Sequence, residues 1–264
     1  MTIELSVIVP IYNEEDELWI MAEALSPVLD SAIGKDNWQY VLVDNGSTDE
    51  TPALIDKIIA KWPNCIKTVL PEPNYGSALA AGIHASEGEY GYIINVEFWD
   101  EIFIRWAWLN RCQYDLMLGS KRADPTLNAQ SVYRRLLSWG LNALLQVFFG
   151  FVGRDTHGQK LIRLSTIQPL ASRCVMKGGQ YDTELTLRAL REGLWIAEAP
   201  VPITETRAPR NWMMQKILRN LRDIVILQSV MRKVPYKHNT RYHRWAREDM
   251  ERMRVISWCD HAGE

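Results

Sequence analysis

Apolar residues along the chain fall into two alternating patterns. Residues 5–11 form an almost unbroken apolar run rich in Val and Ile, the pattern of a parallel strand buried on both faces. The polar stretch 13–17 opens a segment that places Leu18, Met21 and Leu25 on one side of a helix. A second buried strand over 40–44 runs into Asn45-Gly-Ser-Thr-Asp49, followed by helical spacing of Leu54, Ile58 and Ile59 across 51–62. Residues 65–70 predict a third strand, 77–85 a helix and 90–96 a fourth strand. Strand and helix alternating across short loops predict an α/β fold, a mostly parallel sheet flanked by helices.

Beyond Val96 the pattern changes. A Trp-rich stretch (Trp99, Trp106, Trp108) precedes a strand at 115–120, a polar loop and a long helix over 131–149. Residues 155–159 lead into a strand at 160–164, a helix at 181–192 and a final strand at 195–201, after which the chain is expected to be helical and basic. With no internal repeat or low-complexity linker, residues 1–205 read as one domain with halves 1–97 and 98–205, and 206–264 as a helical tail.

Composition leaves this picture largely intact: 47% hydrophobic and 23% charged residues among 264 are ordinary for a globular protein. The four cysteines, Cys65, Cys112, Cys174 and Cys259, form no C-x-x-C pair and read as reduced packing thiols of a cytosolic protein, with no zinc site. The apolar start lacks a basic flank and ends in Pro10 and acidic residues, so it is a strand and not a signal peptide. The most apolar region, 136–152, is broken by Ser138, Asn142 and Gln146; it is short for a bilayer span and compatible with an interface.

Charge adds more. Between Arg207 and Arg254 stand thirteen Lys and Arg against four Asp and Glu, in a chain of net charge -2, so the remainder is acidic. With Trp212, Tyr236, Tyr242 and Trp245 interleaved, this tail suits either an anionic membrane surface or phosphates, or a solvated helical face. The acidic body speaks against nucleic acid as a partner.

Ligands of open α/β sheets bind beyond the carboxyl ends of the strands. Four polar loops follow predicted strands there: Pro10-Ile-Tyr-Asn-Glu14, Asp44-Asn-Gly-Ser-Thr-Asp49, Asn74-Tyr-Gly76 and Asn95-Val-Glu97. Asp44 alone reads more readily as a cap than as a ligand, and Asp49 reads as a cap before Thr51. No G-x-G-x-x-G follows the first strand, which sets a dinucleotide-dependent oxidoreductase aside. Taken in order, V-I-V-P-I-Y-N-E-E, V-D-N-G-S-T-D, N-Y-G-S-A-L-A-A-G and the acidic motif after the fourth strand resemble the nucleotide-binding half of family 2 glycosyltransferases. Gly119-Ser-Lys-Arg122, Arg134 or Arg135 with Ser138, Asp155-Thr-His-Gly158, Tyr181-Asp-Thr-Glu184-Leu and Glu198-Ala-Pro-Val-Pro202 continue the resemblance toward dolichyl-phosphate mannosyltransferase-like enzymes.

That resemblance implies a GT-A, Rossmann-like fold that holds the nucleotide on Pro10, Tyr12, Glu14, Asp44, Gly76, Asn95 and Val96, with Mg²⁺ or Mn²⁺ on Glu97. It also implies inverting, single-step transfer from a UDP- or GDP-sugar. Glu97, Lys121 and Arg134 are the expected catalytic groups at the leaving diphosphate, and Glu184 is the expected carboxylate for a hydroxyl acceptor or for acceptor support. Arg207 and Arg210 are candidates for an acceptor phosphate, Asp155 for orienting Arg134 or Arg135, and His157 for a structural role.

Two departures from the family pattern stand out. Asn95-Val96-Glu97 replaces D-A-D, which weakens or removes the metal requirement, and Asp100 and Glu101 either compensate or are surface acids. Asn74 replaces a Gly and is expected to take its left-handed conformation. The acceptor is expected to be a polyprenyl phosphate at the cytoplasmic membrane face, reached by a peripheral enzyme. The alternatives are a soluble hydroxyl acceptor and a non-catalytic nucleotide-sugar-binding module.

Overall fold

The computed structural model describes residues 2–127, 132–202, 213–237 and 241–260. Period-two alternation in β1 (Leu5–Ile11) sends Leu5, Val7, Val9 and Ile11 into one apolar layer and Ile8 into the other, all fully buried. β2 (Trp38–Asp44) does the same, with Tyr40 and Leu42 on one face and Val41 and Val43 on the other. Each such side chain contributes about 1.5–3 kcal/mol by leaving water, so these two strands form the centre of the core.

β3 (Cys65–Val69), β4 (Tyr90–Ile93), β5 (Leu116–Ser120), β6 (Lys160–Arg163), β7 (Trp195–Pro200) and β8 (Arg241–Arg244) complete one sheet, in the order β3-β2-β1-β4-β6-β5-β7-β8. One layer is covered by α1 (Leu18–Ile33), α2 (Thr51–Lys61), α4 (Glu101–Asn110) and α9 (Arg247–Asp260). The other is covered by α3 (Tyr75–Ala85), α5 (Val132–Phe149), α6 (Leu164–Ala171), α7 (Gln180–Arg191) and α8 (Met213–Met231).

Strand order reverses at β1, which lies between β2 and β4 and is parallel to both. A crevice at such a switch point collects the loops that leave the carboxyl ends. β6 is antiparallel to both β4 and β5. The loop that precedes β6, residues 155–159, therefore reaches the same edge as the loops that follow β1, β2, β4 and β5.

The expected last strand at 195–201 is not the last. β8 pairs in parallel with β7, Trp195 opposite Arg241 and Glu198 opposite Arg244, in a stretch read from the sequence as helix. Its short, charged composition is that of a protected sheet edge, and its pairing depends on β7 rather than on local periodicity. α9 then packs on α4 with Met250 buried, and Arg247 binds both oxygens of Asp100 at 2.7 and 3.1 Å. Residues 241–260 thus belong to the sheet and its helical layer.

Candidate active site

The β1 and β2 loops are stitched together before either meets a ligand. Asn13 has φ 54°, which turns the chain out of β1 and delays α1 until Leu18. Its Oδ1 accepts the Thr48 N–H at 2.8 Å, and its own N–H donates to Ser47 Oγ at 3.1 Å. The next N–H, of Glu14, donates to Thr51 Oγ1 at 2.9 Å. Gly46 has φ +75°, and a Cβ there would stand 3.3 Å from the Glu72 and Pro73 backbone, so this turn requires glycine. Asn45 Oδ1 accepts the Asn74 N–H at 2.7 Å, fastening the third loop to the second.

These ties open a cleft of about 370 Å³ at the switch point. Pro10, Ile11, Tyr12 and Glu14 line it from β1, Asn45 and Tyr75 from the next two loops, and Asn95 to Phe98 from the turn after β4. That turn closes on itself through the Phe98 N–H, which donates to Asn95 O at 3.1 Å. Of the residues predicted from sequence, Pro10, Tyr12, Glu14, Asn95, Val96 and Glu97 meet in this cleft.

Others take different places. Asp44 is buried behind the wall, where its Oδ1 accepts the Ser47 N–H at 2.9 Å, and its neighbour Asn45 faces the cleft instead. Gly76, expected at the nucleotide, donates its N–H to Lys177 O at 2.7 Å. A Cβ there would lie 2.2 Å from that oxygen, so glycine serves close packing of α3 on residue 177. Asn74 is extended at φ -149° and caps α3 through the Ser77 N–H; its value is as a cap and not as a left-handed residue. Asp49 Oδ1 accepts the Thr51 N–H at 3.1 Å, but the N-cap position of α2 is Glu50, whose side chain makes no capping bond.

Glu184, expected as a base or acceptor group, is fully buried. Its Oε2 accepts the N–H groups of Val175 and Met176 at 2.9 and 2.7 Å, while Oε1 binds Arg188. A carboxylate saturated in this way braces the loop before α7 and has no lone pair directed at a substrate. Asp100 is committed to Arg247 and to the cap of α4, and Glu101 bridges to Arg105, so neither replaces the missing aspartate.

Lys121 directly follows β5. The side chain of Arg134, like Arg207 and Arg210, lies outside the described residues. Asp155 Oδ1 accepts the His157 N–H at 3.0 Å. His157 Nε2 donates to Gly179 O at 2.9 Å, leaving Nδ1 to accept from the Thr156 hydroxyl at 3.0 Å. Burial holds this imidazole below its ordinary pKa against the pull of Asp182 and Asp155, and it serves as a brace. Sequence reasoning missed Asn45, Tyr75 and Phe98; the first two lie inside quoted motifs, and their composition there was the available signal.

Among the described residues the cleft is lined by two carboxylates, Glu14 and Glu97, and by no Lys or Arg. A diphosphate placed there needs a counter-cation. Among the described residues no three His, Cys, Asp or Glu side chains cluster to hold a metal by themselves. Glu97 with the Asn95 carbonyl fits a hard divalent ion that takes its remaining ligands from water and substrate phosphate.

Residues 6–97 match the family model for glycosyl transferase family 2. The chain is 27% identical over 242 residues to a dolichyl-phosphate beta-glucosyltransferase of Dictyostelium discoideum, covering 84% of this chain and 73% of that protein. It is 30% identical over 145 residues to an undecaprenyl-phosphate 4-deoxy-4-formamido-L-arabinose transferase of Pectobacterium carotovorum, covering 53% of this chain and 42% of that one, so it spans under half of that relative. In fold it is similar to glucosyl-3-phosphoglycerate synthase from Mycobacterium tuberculosis, crystallised with Mn²⁺, UDP and glucosyl-3-phosphoglycerate. The TM-score is 0.60 at 20% identity, covering 88% of this chain and 80% of that one. The motifs that line the cleft at the strand-order reversal fall within the stretch that matches glycosyl transferase family 2, and over most of its length the chain resembles the polyprenyl-phosphate sugar transferases and shares the GT-A fold.

Proposed function

We propose that the chain transfers a sugar from a UDP-sugar to a polyprenyl phosphate at the cytoplasmic face of a membrane, inverting the anomeric centre in one displacement. The observation that carries this reading is the convergence of Pro10, Tyr12, Glu14, Asn95 and Glu97 on one cleft at the switch point. An acceptor phosphate oxygen attacks the anomeric carbon as the bond to the β-phosphate breaks, and the electron pair leaves with UDP. A phosphate acceptor is already ionised and needs no base, which agrees with Glu184 being occupied elsewhere.

Pro10, Tyr12, Glu14 and Asn45 receive the nucleoside, with Asp44 setting the turn behind them. Glu97 and Asn95 hold Mg²⁺ or Mn²⁺, which supplies positive charge at the leaving diphosphate. Lys121, directly after β5, adds positive charge near the leaving diphosphate. Support for a lipid acceptor comes from the dolichyl- and undecaprenyl-phosphate relatives and from the surface of α5 and α8. Trp139, Val147, Phe148, Val225 and Ile226 are exposed there, beside exposed Arg222, Arg232 and Lys233. No helix among the described residues is long and apolar enough to cross a membrane, and the proposed contact is made by this surface.

The test is thermal-shift binding of UDP, GDP and their sugars with Mn²⁺, Mg²⁺ or EDTA, followed by transfer assays on polyprenyl phosphate and on soluble hydroxyl acceptors. Stabilisation by UDP with Mn²⁺, lost in EDTA, is expected, together with product on the lipid phosphate. Stabilisation by GDP alone, or transfer only to a soluble hydroxyl, replaces the donor or the acceptor in this scheme.

A further inference from the structure

Tyr75 stands in the donor half of the chain but is held from the acceptor half. It lines the cleft, and its hydroxyl donates to Asp182 Oδ2 at 3.1 Å, across 107 positions of sequence. Asp182 Oδ1 is 2.9 Å from Lys160 Nζ, and the two side chains are 2% and 1% exposed. The Lys160 ammonium also donates to Gly158 O at 2.7 Å. A buried ion pair is a poor source of stability, because desolvation offsets its attraction and well-packed apolar residues often do as well. The pair sits where β6 begins and α7 starts, beneath the cleft, and neither the sheet ladder nor the proposed chemistry uses it.

The backbone under Tyr75 is clamped to the same region. The Gly76 N–H donates to Lys177 O at 2.7 Å, and the loop carrying Lys177 is itself braced by Glu184 through Val175 and Met176. Main chain and ring tip of Tyr75 are therefore fixed separately, the first by the loop before α7 and the second by the first turn of α7. A tyrosine fixed at both ends meets its ligand without first losing rotamer freedom, and its face suits stacking on a planar base.

We infer that Tyr75 contacts the nucleoside of the donor and that the buried Lys160–Asp182 pair is its positioning device, setting the ring through the tyrosine hydroxyl. The inference rests on the cleft being the nucleotide site. It makes donor affinity depend on two acceptor-half residues that do not line the cleft.

Titration calorimetry of UDP with Mn²⁺ tests it on the full chain as wild type, Tyr75→Phe, Lys160→Met/Asp182→Leu and the triple variant. Rotamer freedom returned to the ring, and lost again on binding, predicts that Tyr75→Phe weakens UDP about fivefold; in transfer assays the loss falls on the donor KM more than on kcat. The double variant should weaken it by a similar factor, and the triple variant no more than either. Wild-type affinity in folded Tyr75→Phe, or factors that multiply in the triple variant, overturns the inference. Tyr75→Phe removes only a hydroxyl, so it decides the matter even where the double variant does not fold. A wild-type chain that binds no UDP counts against the UDP assignment instead, and the same comparison is then read with the nucleotide that does bind.

Discussion

Asn95 is the residue at which this cleft departs most from a two-carboxylate metal motif. An amide carbonyl still coordinates a hard cation but brings no charge, leaving Glu97 as the charged group of the turn. Metal and diphosphate should consequently bind as partners, each weak without the other. Restoring the charge with Asn95→Asp adds an attraction worth more than 1.4 kcal/mol at close range even in a well-screened site. Mn²⁺ affinity in the absence of UDP should rise by about tenfold or more, read by the paramagnetic signal of free Mn²⁺; unchanged affinity would remove Asn95 and Glu97 from the metal site. Asn13 and Asn74 make a complementary point. Both were visible as turn residues, but Asn13 is the one at φ 54° while Asn74 is an extended cap. Either conformation is open to asparagine, and the hydrogen bonds to Ser47, Thr48 and Asn45 decide which is used.

At the scale of elements, the antiparallel β6 has the largest functional effect, since it delivers the loop 155–159 to the carboxyl edge. His157 ties that loop to Gly179 at the entrance of α7. Burial lowers its pKa below the ordinary value of 6.5, so the fold favours the neutral ring and the unfolded chain takes up the proton first. The stability this brace provides is complete above pH 6.5 and is lost as pH falls toward the depressed folded-state pKa. Denaturant midpoints should drop between pH 7.5 and pH 5, and His157→Gln should make that drop smaller; an equal drop in both proteins would show that the ring does not titrate between the two states. β8 and α9 teach a different lesson. Arg241-Tyr-His-Arg244 carries three basic or imidazole groups in four positions and reads alone as solvated tail. Its strand form follows from Tyr242 reaching buried Glu198 at 3.0 Å and from Arg241 lying over the Trp195 ring at 4.1 Å.

At the scale of the whole molecule, the described residues of α5 and α8 expose apolar and basic side chains together. Trp139, Val147 and Val225 are 63%, 78% and 67% exposed on α5 and α8, which pack against each other, with Arg222, Arg232 and Lys233 exposed alongside. Such a face suits the headgroup boundary of an anionic bilayer. The protein should sediment with phosphatidylcholine vesicles containing phosphatidylglycerol, and less at high salt. Val147→Asp/Val225→Asp should release it while leaving UDP binding intact; binding that survives this change would move the contact elsewhere. The local sequence determined the succession of strands and helices through β7, apart from α4 and α6, and the loops that form the cleft, because periodicity and turn chemistry act within about ten residues. Four polar loops could be assigned to one crevice for that reason, and the family resemblance singled out Pro10, Tyr12, Glu14 and Glu97 within them. Tertiary structure decided the direction of β6, the pairing of β8, the packing role of Gly76 and the occupation of Glu184. It also joined Tyr75 to Asp182 and Lys160. A carboxylate or an amide has no role until the fold brings a partner to it, and these partners come from segments that share no local pattern.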